Sequence, residues 1–117
     1  MPLVVQDNLW GYKMLIVSLQ PVPSQFLATV LNGQNCQIFI YKKGKSLFVD
    51  LNSNGTDIVS CVIARDMVPL VCIEYTGFVG NIIFMDMNGS LDPEYLGLGD
   101  RYRLIYLSQS EYESAYK

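Results

Sequence analysis

The chain has 117 residues, of which 50% are apolar and 16% are charged, and its formal net charge is −3. This length predicts one domain, and 8 basic against 11 acidic residues exclude the electrostatic footprint of a protein that binds duplex nucleic acid. Soluble domains usually carry about 25% charged residues, so the apolar excess must be hidden in an unusually apolar core or against other subunits.

The apolar runs are too short to span a membrane as a helix. The longest are residues 67–73, which contain a proline, and residues 14–17, whereas a spanning helix needs about 20 apolar residues. The first ten residues lack Lys and Arg and include Gln6 and Asp7, unlike the basic region and continuous apolar stretch of a signal peptide. We therefore expect a chain without a membrane span, located in the cytoplasm when it is made.

The first half of the chain predicts an arm followed by an antiparallel meander. Residues 1–12 are the predicted arm, and KMLIVSL (13–19) is a short strand that ends at the proline-containing PVPSQ. Three hairpins follow between residues 25 and 64, with turns at Asn32-Gly33, at Gly44 and at residues 53–55. Parallel pairing would need crossovers of about a dozen residues or more, and none fits between these turns.

The second half predicts two further strands separated by a long loop. Residues 67–75 are interpreted as a loop followed by a strand, because Pro69 interrupts the run. NIIFMDM (81–87) and YRLIYLS (102–108) are predicted strands, and SLDPEYLGLGD (90–100) is the loop between them. The C-terminal tail, residues 109–117, is either a short helix or frayed.

These elements predict an all-β fold, a small antiparallel meander that closes into a barrel or a sandwich over residues 13–108. The runs at 38–40, 58–64 and 81–85 do not alternate apolar with polar residues, which is typical of strands covered on both faces. In so small a domain, we expect the second cover to be another chain.

Catalytic and metal chemistry finds no support in the residue types. The chain has no histidine, the usual base beside a nucleophile, and pairing the carboxylates for acid-base work requires guessing the fold. Cys36, Cys61 and Cys72 fit neither a disulfide framework nor a zinc pattern, and we interpret them as buried small apolar residues. Lys42, Lys43 and Lys45 are interpreted as a solvated hairpin tip. We predict no catalytic, cofactor or metal site.

Four segments in a fixed order resemble the phage baseplate plug family of contractile-tailed bacteriophages. They are PVPSQFLATVLNGQ, QIFIYKKGKSLFVDLNSNGTDI, VPLVCIEY, and GNIIFMDM followed by DPEYLGLGDRYRLIYL, which together cover about residues 21–107. The resemblance lies in their order and spacing, since none of them is an active-site fingerprint.

The resemblance implies a non-enzymatic structural component of the tail baseplate, at the central hub or tube end, that helps to plug the channel through apolar subunit interfaces. It also implies baseplate, hub and tail-tube partners, multiple symmetric copies, and a place in the virion after assembly in the bacterial cytoplasm. The alternative is a free-standing small all-β module that binds a ligand or oligosaccharide and oligomerises. An enzyme ranks behind both.

Candidate contact residues are taken from the arm, from one turn and from the 92–99 loop. Trp and Tyr are favoured anchors at interface centres; the arm carries one of each, and the loop carries a Tyr beside a Leu. The predicted partner interface comprises Trp10, Tyr12, Phe78, Asp92, Pro93, Tyr95 and Leu96.

Overall fold

The computed structural model describes residues 3–9, 12–71 and 78–116, with side chains described from residue 15 onward within those ranges. The described elements are β1 (Leu3–Leu9), β2 (Tyr12–Val17), β3 (Ser24–Leu31), β4 (Gln34–Lys43), β5 (Ser46–Ser53), β6 (Thr56–Ile63), β7 (Asn81–Asp86), a 3-10 turn (Tyr95–Gly97), β8 (Tyr102–Leu107) and α1 (Gln109–Tyr116).

The strands form two four-stranded antiparallel sheets, which confirms the all-β prediction. The first sheet has the order β1-β2-β8-β7 and the second has the order β3-β4-β5-β6. One core cluster contains inward-facing residues of both sheets, including Phe84 and Leu104 of the first and Ile38 and Val49 of the second. Of the two architectures that the sequence left open, the described strands form the two-sheet one and do not close into a barrel.

The second sheet is the predicted meander, and its turns explain why. Asn32 and Gly33 both have positive φ angles, of 52° and 76°, as do Asn54 and Gly55, at 52° and 87°. Two successive residues with positive φ give the type I′ twist that matches antiparallel strands. The predicted hairpin turns at Asn-Gly and at Gly44 are therefore confirmed.

The first sheet joins segments that are distant in sequence. β2 pairs with β8, with Leu15 opposite Tyr106, and β8 pairs with β7 along its length. The residues of the predicted arm between Leu3 and Leu9 form β1, which pairs with β2 at the edge of this sheet. The strand predicted near residue 72 falls on residues 72–77, outside the described ranges.

β7 is covered on both faces, as predicted, but the second cover is not another chain. All six of its residues are buried. Ile82 and Phe84 belong to the core between the sheets, whereas Ile83 and Met85 belong to a second cluster with residues of β2 and β8. The cover of that cluster comes from the chain's own partly buried side chains, namely Met67, Met87, Tyr112 and Tyr116.

The helix α1 that supplies this cover is held at both ends. Ser108 and Glu111 form a capping box, in which each backbone N–H donates to the other's side chain, at 2.9 and 3.3 Å. At the C-terminal end, the Tyr116 hydroxyl donates to the Met67 carbonyl oxygen at 2.6 Å. Of the two readings of the tail, the helix is correct.

Candidate functional site

The outer face of the second sheet carries a row of aromatic side chains. Side chains alternate between the two faces of a strand, and inward residues such as Leu27, Ile38 and Val49 are buried. The pairing register places neighbouring outward residues side by side, with Phe26 opposite Phe39 and Tyr41 opposite Phe48. We call this set the aromatic face: Phe26, Phe39, Tyr41 and Phe48.

Three rings of the aromatic face pack in a row, and Phe26 and Phe39 are exposed while Tyr41 and Phe48 are half-buried. The ring centroids of Phe39 and Tyr41 are 4.8 Å apart, and those of Tyr41 and Phe48 are 6.2 Å apart. Phe26 is 62% exposed and Phe39 is 36% exposed, and Val30 on the same side of β3 is 51% exposed. Scattered surface apolar residues are ordinary, but contiguous apolar patches mark interaction sites.

This exposure corrects the expectation for residues 38–40. We expected that run to be covered on both faces, yet Ile38 and Ile40 are buried while Phe39 between them points outward. The physical reason is that the strand alternates after all, with a large aromatic residue where a solvated strand usually has a polar one. The same holds partly for 58–64, where Ile58 is buried and Ser60 is exposed.

Hydrogen bonds to Asp50 hold Tyr41 in place at one edge of the aromatic face. The Tyr41 hydroxyl donates to Asp50 Oδ1 at 3.0 Å, and the Cys61 backbone N–H donates to the same oxygen at 2.7 Å. The pKa of Tyr41 is raised above its ordinary value. The largest cause is a hydrogen bond with the Cys61 side chain, followed by burial and by the neighbouring Asp50. The phenol therefore stays protonated and keeps its donor role.

Cys61 itself is exposed, which corrects its interpretation as a buried residue. It lies where the β5–β6 register shifts, and its φ of 54° is in the left-handed region. A bulge of this kind turns side chains away from their regular positions. Cys36 is buried, as expected, and Cys72 lies outside the described residues.

The loop between β7 and β8 presents the second exposed apolar feature. Its 3-10 turn carries Leu96, which is 73% exposed, and Tyr95, which packs partly against the main core. Lys42 of β4 places its Nζ 5.8 Å from the centroid of the Tyr95 ring. A cation at this position over an aromatic ring is attracted to it.

The base of this loop is closed by an ion pair between Asp86 and Arg101. Arg101 donates to both carboxylate oxygens, from Nε and Nη2, at 2.8 Å each, and the backbone N–H groups of Asn88 and Leu91 donate to them at 2.9 Å. The Arg101 guanidinium, helped by these N–H groups and opposed by burial, holds the pKa of Asp86 well below its usual range. The ion pair therefore joins the two ends of the loop that carries the exposed turn.

The sequence-predicted contact residues fall into different environments. Asp92 and Leu96 are exposed and Tyr95 is half-buried, whereas Pro93 is buried. Asp92 accepts a hydrogen bond from the Asp66 backbone N–H at 3.0 Å and lies 3.6 Å from Arg65 Nη1. Asp92, Tyr95 and Leu96 thus lie in one loop, in which Asp92 contacts Arg65, Tyr95 contacts Lys42, and Pro93 is buried.

The remaining predicted residues lie elsewhere. Phe78 is 7% exposed and packs edge-on against Tyr106, with ring centroids 6.0 Å apart. Tyr12 begins β2, but its side chain is outside the described part, and Trp10 lies outside it altogether. Sequence reasoning missed the aromatic face, although the spacing of two between Phe39 and Tyr41 in one strand was the signal for it.

No cluster of three metal-ligating side chains occurs within the described residues. No helix in that part of the chain is long and apolar enough to cross a membrane.

Comparison with known proteins supplies the family. No curated protein matches the chain. The family described as cyanophage baseplate Pam3 plug gp18 matches residues 14–109, a segment that runs from β2 to the start of α1 and contains the aromatic face and the β7–β8 loop. The match confirms the resemblance inferred from the order of segments, and it supports a structural role in the baseplate. The chain belongs to the cyanophage baseplate Pam3 plug gp18 family.

Proposed function

We propose that the chain is a non-enzymatic subunit at the central hub or tube end of the phage tail baseplate, where it helps to plug the channel through apolar contacts with its neighbours. Family membership supports the baseplate role. The hub position, the closure of the channel, the lack of catalytic activity and the assembly in the host cytoplasm belong to the proposal.

The observation that carries the proposal is the exposed aromatic face. The chain covers the outer side of its first sheet with α1, but it leaves Phe26 and Phe39 of the second sheet open to solvent. Burying a Phe side chain completely stabilises an assembly by about 1.5–3 kcal/mol. Permanent interfaces resemble a domain core cut in half. Exposed aromatic rings that lie side by side are the kind of apolar surface that such an interface buries.

The β7–β8 loop is proposed as a second contact. Its exposed Leu96 and half-buried Tyr95 stand on the Asp86–Arg101 base, so a partner would meet a surface that is already ordered. Such preorganisation lowers the entropic cost of binding. Pro93 and Phe78 are buried and would support contacts from within, and Trp10 and Tyr12 of the arm stay predicted contacts. The proposed partners are hub and tube proteins and further copies in a symmetric ring.

Complementation of a phage that lacks this chain tests the proposal. We expect plasmid-encoded wild-type chain to appear in purified particles, with immunogold label confined to the distal tail. The variant with Phe26→Ser and Phe39→Ser should fold but be depleted from particles at least tenfold. Val68→Ser is the matched control, because Val68 is 45% exposed but lies outside the aromatic face. Label absent from every particle, or normal incorporation of the double variant, would contradict the proposal.

One feature favours the alternative of a carbohydrate-binding module. A concavity of about 600 Å³ lies beside the aromatic face and is lined by four side-chain amides together with Ala28 and Val30. Amides can both donate to and accept from sugar hydroxyls. The alternative predicts free chain in the lysate and binding to oligosaccharides that Gln37→Ala weakens; the baseplate proposal predicts neither. The four amides are Asn35, Gln37, Asn52 and Asn54.

A further inference from the structure

A small cleft lies between the β4–β5 hairpin and the 3-10 turn of the β7–β8 loop. Its volume is about 240 Å³. Tyr95, Leu96 and Leu47 give it apolar walls, and two lysines stand at its rim. The lining residues are Lys42, Lys45, Ser46, Leu47, Glu94, Tyr95 and Leu96.

The charge at this cleft is opposite to that of the whole chain. Two of the chain's 8 basic residues, Lys42 and Lys45, line it beside one acidic residue, Glu94, in a chain of net charge −3. Ion pairs in the described part of the chain join Arg65 to Asp92 and Arg101 to Asp86. Neither of the two lysines therefore pairs with a carboxylate of a described residue, Glu94 at the same rim included.

We propose that this cleft binds an extended acidic segment of a neighbouring baseplate protein. An apolar side chain of that segment packs against Tyr95 and Leu96, and its carboxylates pair with Lys42 and Lys45. The inference rests on the proposed baseplate function and adds the chemistry of one partner. Complementary charge at an interface fixes the register of partners and speeds their encounter.

A second copy of this chain is a poorer occupant, because most of its described carboxylates already have partners. Each of them accepts a hydrogen bond within the chain, which holds it in a folded element or loop and not in an extended segment that could enter the cleft. These carboxylates are Asp50, Asp57, Asp66, Asp86, Asp92, Glu111 and Glu113.

Lys43 provides a matched control. It neighbours Lys42 in sequence but points to the other side of the hairpin, where its Nζ lies 5.9 Å from the centroid of the Phe48 ring of the aromatic face. Lys43→Glu changes the charge of the chain and of the hairpin as Lys42→Glu does, but it does not change the cleft.

Photo-crosslinking in assembled particles tests the inference. Leu96→benzoylphenylalanine, and in a second variant Ser46→benzoylphenylalanine, places the probe in the cleft of a chain incorporated into the phage. Mass spectrometry should identify a crosslinked segment of another baseplate protein with at least about two Asp or Glu near the linked residue, as expected for a lysine-rimmed site. Lys42→Glu should lower the crosslink yield per incorporated chain on the order of fivefold, and Lys43→Glu should leave this yield per incorporated chain unchanged.

The outcomes separate this inference from the function on which it rests. Incorporated chain that crosslinks to another copy, to a segment without acidic residues or to nothing from either position overturns the acidic-segment inference alone. An equal loss of crosslink yield in Lys43→Glu overturns it too, because the yield would then depend on the net charge of the chain and not on the charge at the cleft. Failure of the wild-type chain to enter particles overturns the proposed function, and with it this inference.

Discussion

The outer faces of the two sheets both carry large apolar side chains, but these side chains differ in how they are covered. On the first sheet, Ile83 and Ile105 are fully buried because side chains of α1, together with Met67 and Met87, pack over them. On the second sheet, Phe26 and Phe39 occupy the equivalent outward positions and stay exposed. The difference shows that an apolar outward residue does not by itself reveal its cover, which either the same chain or a neighbour can supply.

The largest expected effect comes from the core that both sheets share. Phe84 is fully buried between the sheets, so Phe84→Ala should lower the free energy of unfolding by about 3–5 kcal/mol through lost contacts and a cavity. Urea denaturation of the purified chain measures this loss. A loss under about 1 kcal/mol would contradict the assignment of Phe84 to a packed core.

Removal of the chain's own cover is the second test. A stop codon after Ser108 deletes α1 and uncovers Ile83, Met85 and Ile105, which should cost at least about 2 kcal/mol and cause aggregation. The first sheet would then resemble the second. Light scattering and urea denaturation report both effects, and Ser114→Ala, on an exposed helix position, is the control. Unchanged stability of the truncated chain would show that α1 is not the cover.

The pH dependence of stability tests the base of the β7–β8 loop. Because the folded pKa of Asp86 is depressed, its contribution is fully present above the unfolded value of about 3.9 and is lost as pH falls toward the folded value. Stability should therefore drop on acidification below about pH 4, and Asp86→Asn should flatten that drop. Urea midpoints measured from neutral to acid pH provide the comparison, and identical slopes would contradict it.

The smallest effect on the free chain is expected at the aromatic face. Phe39→Ser removes a ring that is 36% exposed and packs on Tyr41, so we expect a loss of only about 1 kcal/mol in the free energy of unfolding. Solubility should rise, because less apolar surface is open. Urea denaturation and the concentration limit before precipitation check both statements, and a loss comparable to that of Phe84→Ala would mean that Phe39 belongs to the core.

Local signals in the sequence predicted the second sheet well. Its turns carry Asn-Gly or Gly, and residues adjacent in the chain pair with each other, so Asn32-Gly33 and Gly44 were enough to define the meander. The first sheet was harder, because the pairing of β2 with β8 joins residues about ninety positions apart and no local pattern records such a contact.

The residues of the candidate site differ in the same way: some were visible in the local sequence, and others depend on contacts between distant segments. Leu96 and Tyr95 were predicted because an apolar pair in a glycine-containing loop is visible in the sequence, whereas the aromatic face depends on the strand register that places Phe26 beside Phe39. The cover of β7 was misjudged because α1 has only eight residues, too few for its period to stand out. Lys42 was interpreted as part of a solvated hairpin tip. Its contact with Tyr95 joins two segments that are distant in sequence, so no local pattern records it.

Hydroxyl-radical footprinting of the free chain and of purified particles tests the central claim most directly. If the aromatic face is a contact surface, Phe26 and Phe39 should be oxidised in the free chain and protected in particles, while Phe84 should be protected in both. Equal oxidation of the two exposed rings in both samples would contradict it, because the aromatic face would then have no partner in the assembled tail.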